Sequence, residues 1–223
     1  TAVQEWLAQW DYQMTADSGQ AAFYGLFWQQ LLDNLYNDDL SARGLMPAAN
    51  VHMWPTTMLL ADPDNVWWDD ARTPQQIETR DEILSRTFSE AYETAVSTFG
   101  PDRNNWRWGD LHTGTFSSQP LGGRLVNRGP LPLDGGANTV NATTWSESPD
   151  DYFGVQVLPS MRMVVDLANL NGSISMNTTG QSGHVASPHY DDQIRPWQNY
   201  QFKPMLWARA DVETAVADTE AEL

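Results

Sequence analysis

The run TPQQIETRDEILSRTFSEAYETAVSTFGP, residues 73–101, leaves the least freedom to the fold. Thr73 offers a side-chain cap, Pro74 suits a first helical position, and Gln76 completes a capping-box pattern. Apolar residues then fall at Ile77, Leu84, Phe88, Ala91, Ala95 and Phe99, one face of a helix that Gly100-Pro101 ends. Upstream, Val3, Trp6, Leu7 and Trp10 have helical spacing. Ser18 is an N-cap for a second helix running to about Asp38. Its stripe of Phe23, Phe27, Leu31 and Leu35, with a surplus of aromatics, predicts burial on more than one side. Residues 39–72 are mixed, with Pro47, Pro55 and Pro63 breaking any long element.

After Arg103 the texture changes to short β-type runs separated by Gly, Pro and Asn. Residues 112–117 and 123–128 read as strands, and GPLPLDGGAN as a loop. MRMVVDLANLNGSISMN reads as a hairpin, with Met161–Leu167 and Ser173–Met176 as strands and Asn171-Gly172 in the turn. DVETAVADTEAEL reads as a short helix followed by a frayed tail. The chain is therefore an α+β protein: helical over 1–100, strand-rich over 104–180, and a C-terminal loop with helices over 181–223.

Composition excludes several functions. The 223 residues suffice for a sizeable core, and no cysteine is present, so disulfides, thiolate metal sites and cysteine nucleophiles are ruled out. Net charge is −17 and Lys203 is the one lysine, a balance that repels nucleic acid. No apolar run is long enough to span a membrane. Eleven tryptophans predict extensive packed surface, some of it against other chains.

The side chains of a serine hydrolase stand together in TTGQSGHVASPHYDDQI, residues 178–194: Ser182, His184, Ser187, His189, Asp191 and Asp192. A triad normally draws its members from separated loops, and the G-x-S-x-G elbow is missing. His189 and Asp192, three apart at a helix start, fit local capping equally well. No zinc pattern links His52, His112, His184 and His189. ADPDNVWWDD gathers Asp62, Asp64, Asn65, Asp69 and Asp70, yet lacks the glycine and glutamate of a calcium loop and reads as a solvated acidic loop. LDGGANTVNA lacks a dinucleotide fingerprint, so its glycines mark a turn that brings backbones together. Asn141, Asn171 and Asn177 head glycosylation sequons, which matter only in a glycosylating source. Thr1 heads a helical rather than a strand segment, so it reads as a boundary and not as an N-terminal nucleophile.

One family has these segments in order. WWDDARTPQQIETRDEILSRTFSEA is followed by WRWGDLHTGTF, QPLG, NTVNA, PSMRMVVDL and TTGQSGHVASPHYDDQIRPW. The series, from about Trp67 to Trp207, resembles the C-terminal part of the β subunit of penicillin acylase family enzymes. The resemblance implies an N-terminal nucleophile hydrolase with an αββα sandwich of antiparallel sheets, of which this chain is the C-terminal portion. It implies hydrolysis of the amide bond of an N-acylated small molecule of β-lactam, acyl-homoserine lactone or lipopeptide type. In the family a Ser exposed by self-cleavage attacks the carbonyl, its α-amino group takes the proton, and an Asn with a backbone N–H holds the oxyanion.

Those residues precede the segment matched here, so this chain carries no catalytic residue. The implied partners are an α subunit and an upstream β segment bearing the N-terminal Ser. Calcium ligands of relatives also lie upstream, which assigns any structural calcium to the companion and no cofactor to this chain. The implied location is periplasmic or secreted. Relatives often carry Asp where this chain has Asn138, before T-V-N. Asn138 is thus a candidate supporting residue that keeps the shape of a carboxylate without its charge. The competing expectation is a binding module that keeps this half-fold without catalysis, although half a sandwich leaves open sheet edges.

Overall fold

Ser18 starts the central helix as read. Its hydroxyl accepts from the Ala21 N–H at 3.1 Å, and α2 (Gly19–Leu32) follows α1 (Ala2–Leu7). A π-helical turn (Asp33–Asn37) and α3 (Asp38–Leu40) extend it, as α2 continues toward Asp38. The computed structural model describes residues 1–41, 44, 52–145 and 150–219. Pro47 and the tail beyond residue 219 lie outside the described residues. The chain divides into two compact units, Thr1–Gly114 with Pro130–Leu158 and Thr115–Gly129 with Pro159–Leu223.

In the first unit α2 buries two opposite sides. Phe23 and Leu26 pack with Ala91, Ala95, Trp106 and Trp108, while Trp28, Leu31 and Leu35 pack with Leu59, Trp68 and Ile83. Small residues Ala21, Ala22, Ala91 and Ala95 are fully buried where α2 meets α5 (Arg80–Phe99), which permits close approach of the two helices. In chain order α4 (Met53–Leu60) comes between the two. Pro55 does not break structure as expected. It sits in the first turn of α4, where a missing N–H costs nothing.

The start of α5 also corrects the sequence reading. The cap is Thr79, not Thr73: Thr79 Oγ1 accepts from Glu82 N, and Glu82 Oε2 accepts from Thr79 N at 2.9 Å. Thr73 instead donates to Glu78 Oε1 at 2.6 Å, and Ile77 is 83% exposed rather than on the buried face. The T-x-x-E box six residues downstream won because a helix started there puts the buried row Ile83, Thr87, Ala91 and Ala95 on one face. Gly100 closes the helix with φ 86°. Thr79→Ala is expected to cost about 1 kcal/mol, read as a lower urea midpoint by tryptophan fluorescence.

Five of the eleven tryptophans are buried. Trp28, Trp68, Trp106 and Trp108 are buried within the unit, so this part of the predicted packed surface lies inside the chain. Trp106 alone stacks or edges against Trp6, Phe23, Tyr92 and Phe99. Trp54, 74% exposed, is the exception in these helices.

After α6 (Trp108–Leu111) come β1 (Thr113–Phe116), β2 (Arg128–Pro132), β3 (Thr144–Trp145) and β4 (Val155–Val157), in sheet order β2-β1-β4-β3. The second strand begins at Arg128 and takes in all of GPLP, whereas 123–127 turn; Gly122, Gly123 and Gly129 all have positive φ. The sheet is mixed rather than antiparallel. β1 and β4 are parallel through Gly114↔Val155, a pairing the long intervening chain allows, and β3 and β4 are antiparallel.

The second unit holds the hairpin, β5 (Met161–Val164) and β6 (Ile174–Asn177), antiparallel in the register Arg162↔Met176 and Val164↔Ile174. Its connection is longer than a two-residue turn, because Asp166 caps Ala168 and Asn169 and a 3-10 turn spans Leu170–Gly172. Asn171 holds the chain beyond, accepting from Trp207 N and Ala208 N. α7 (Ile194–Gln198) precedes β7 (Lys203–Pro204), which pairs with β6, and α8 (Arg209–Thr219) follows as expected. The Arg162 guanidinium lies between Trp197 and Tyr200, 4.2 and 4.6 Å from their rings.

Candidate functional site

The segment LDGGANTVNA forms the backbone-to-backbone turn that its glycines imply. Gly135 has φ 95° and donates to Met14 O at 2.6 Å, while Asp134 Oδ1 accepts from Ala16 N at 2.6 Å. Asn141 Nδ2 donates to Asp134 O at 2.7 Å, and Trp108 Nε1 to Gly135 O at 2.9 Å. The sequon side chain at 141 is thus part of the turn. These bonds fix Ala137, Asn138 and Thr139 at the rim of a cavity of about 330 Å³.

The cavity wall is aromatic: Trp10, Tyr12, Tyr24, Trp28 and Trp145, with Met14 and Met53. Burial pushes the Tyr24 phenol up, so it is neutral at physiological pH. The Thr139 hydroxyl is occupied by Gly136 and Asn141 carbonyls. Asn138 is exposed and makes no side-chain hydrogen bond among the described residues. Among the described residues the wall contains no carboxylate, histidine or lysine. Such a hollow can hold an apolar group and offer it an amide at the rim.

Behind Trp145 lies His112, fully buried and stacked on Trp108 at 4.6 Å. Its Nδ1 is 2.9 Å from Phe153 O, an acceptor only, so Nδ1 carries the proton and Nε2 accepts from the Thr143 hydroxyl at 2.8 Å. Burial lowers its pKa from 6.5 to about 4, against the smaller raising effects of the Phe153 carbonyl and Asp134. The folded state therefore binds its proton later than the unfolded chain. The stability this contributes is complete above pH 6.5 and is lost as the pH falls toward 4. By pH 4 the loss is about 3 kcal/mol. Urea midpoints between pH 7.5 and 4 should fall for the parent and fall less for His112→Asn, which cannot titrate.

The serine-histidine segment is tied into local turns. Ser182 Oγ accepts from His184 N at 3.1 Å and Ser187 Oγ from His189 N at 3.2 Å, both local turn bonds. His189 Nδ1 meets Asp192 Oδ2 at 3.0 Å ahead of α7, and Asp191 pairs with Arg128. Ser182 and His184 both line a hollow of about 720 Å³ in the second unit, but their side chains do not bond to one another.

No cluster of described residues has the makings of a metal site. The acidic loop departs from its expected solvation at Asp69, whose Oδ1 is buried, and most strongly at Asp70. Asp70 is 3% exposed and binds Arg72 at 2.8 Å and Arg86 at 2.7 Å. The Arg72 guanidinium first, then the Arg72 N–H and Arg86, hold its carboxyl far below the usual carboxylate range. The neighbouring Glu78 is also buried, bound by Thr73 and by Asp70 N at 3.1 Å. Sequence reasoning missed both this ion-pair hub and His112, since partners 16 and 31 residues away leave no periodic signature.

The family profile described as Penicillin amidase matches residues 1–214. The chain belongs to the penicillin amidase family. It is 33% identical to the acyl-homoserine lactone acylase QuiP of Pseudomonas syringae pv. syringae (strain B728a) over 88% of this chain and 25% of that protein. To the acyl-homoserine lactone acylase QuiP of Pseudomonas aeruginosa PAO1 it is 32% identical over 86% of this chain and 25% of the relative. To the penicillin acylase 2 proenzyme of Pseudomonas sp. (strain SE83) it is 30% identical over 95% of this chain and 27% of the relative. The chain spans about a quarter of the length of these curated relatives.

Proposed function

We propose that this chain is the C-terminal part of the β subunit of a periplasmic or secreted amidohydrolase, folded within an αββα sandwich. The enzyme cleaves the amide bond of an N-acylated small molecule, with an acyl-homoserine lactone as the first substrate class to test. The observation that carries this reading is identity to named acylases across most of this chain but only a quarter of theirs. The commitment of Ser182 and Ser187 to local backbone bonds supports placing the nucleophile elsewhere. In this reading a companion segment supplies an N-terminal Ser, the oxyanion Asn and any calcium. Asn138 would serve as a positioning residue beside the cavity.

The test is native and denaturing mass spectrometry of the full enzyme, with amine release measured from an N-acyl-homoserine lactone and from an acylated β-lactam. At least two polypeptides, one beginning with Ser, and turnover of one substrate are expected. A lone folded 25.1 kDa chain without amidase activity would sink the reading. If Asn138→Asp matched the parent in maturation, kcat and KM, its positioning role would be withdrawn.

A further inference from the structure

Among the described residues the outer edge of β5 has no strand partner. Ser160 O accepts from Thr178 N at 3.1 Å, and Asp166 N donates to Ser173 Oγ at 3.0 Å, so even-numbered residues bond toward β6. By the two-residue repeat of an antiparallel ladder, the N–H and C=O groups of Met161, Met163 and Val165 point the other way. Among the described residues nothing pairs with that side, because the sheet order is β5-β6-β7. The side chains of the same three residues share a face and are 63%, 51% and 38% exposed.

Natural edges are guarded by lysine, proline, bulges or inward charges. MRMVV has none of these except Arg162, which is held between Trp197 and Tyr200. An apolar stripe beside a row of unsatisfied backbone groups fits a β-strand with apolar side chains. A net charge of −17 opposes a second copy of the chain as its source. About three quarters of the length of the relatives lies outside this chain and is there to supply the strand.

We propose that a β-strand of the companion acylase segment pairs along Met161, Met163 and Val165 and covers their apolar face. The inference rests on the reading of this chain as one part of a larger acylase, and it names the contact that joins the parts.

The experiment uses the full-length enzyme. Hydrogen exchange is read residue by residue, and a benzophenone amino acid replaces Met163 for photo-crosslinking. Amides of Met161, Met163 and Val165 should exchange about 10³-fold more slowly than free amides. The crosslink should map to a peptide outside this chain. Free exchange at those three amides beside slow exchange at Arg162 and Val164 would overturn the proposal, as would a crosslink to the same strand of a second copy. Amine release measured on the same sample separates the two readings. A protected β5 in an inactive assembly keeps this contact and removes the activity, and an active enzyme with an open edge does the reverse.

Discussion

Gly135→Ala lowers stability by at least about 3 kcal/mol, whereas Gly122→Ala lowers it by about 1 kcal/mol. Both glycines have positive φ, 95° and 58°, so both substitutions carry the conformational strain of a side chain there. They differ in what surrounds them. A Cβ on Gly135 would lie 2.1 Å from Asn141 O and 2.8 Å from Thr143 Oγ1, and a carbonyl oxygen of the main chain cannot rotate aside. At Gly122 nothing lies within 4 Å. The turn at Gly135 also bonds Met14 O, so displacing it disturbs the rim that carries Asn138. Urea unfolding followed by tryptophan fluorescence reads the difference. Equal losses for the two variants would mean that the turn tolerates an extra atom and that strain alone matters.

Asp70→Asn is expected to cost about 2–3 kcal/mol, below the figure for a fully buried pair because Arg72 and Arg86 reach solvent. Asparagine keeps the shape and can still accept from Arg72 N, but both guanidiniums lose their counter-charge. The pH dependence separates this from a packing defect. The carboxyl is depressed in the folded state, so its contribution is complete above the ordinary value of 3.8 and is lost as pH falls through the folded value. The parent should therefore lose stability on acidification below about pH 5, and the variant should lose less over that range. A variant as acid-sensitive as the parent would assign the acid loss to other groups.

Local chemistry was legible in the sequence wherever cause and effect lie within a few residues. Ser18 as a cap, Gly100 as a stop, the hairpin of β5 and β6, and α8 all follow from such short-range signals. The hydroxyls of Ser182 and Ser187 obey the same short-range logic, each accepting from a backbone N–H two residues on. Where two local signals competed, local chemistry could not choose. Thr73 and Thr79 both head plausible capping patterns, and burial of Ile83 and Thr87 against α2 selected the second.

Of the candidate site, the Gly-rich turn was readable and its surroundings were not. GGAN announces a turn, but the aromatic wall comes from Trp10, Tyr24, Trp28 and Trp145, separated by up to 135 residues. Single-sequence patterns do not couple positions that far apart. The sequence by itself determined an α+β chain of the penicillin amidase family, because capped helices, turn glycines and ordered motifs are written in neighbouring residues. Only the tertiary structure decided that five tryptophans are buried, that Asp70 is a buried ion-pair hub, that β1 and β4 run parallel, and that β5 has no partner on its outer side among the described residues. Each of those outcomes depends on desolvation and pairing between segments, which are set by what the folded chain brings into contact.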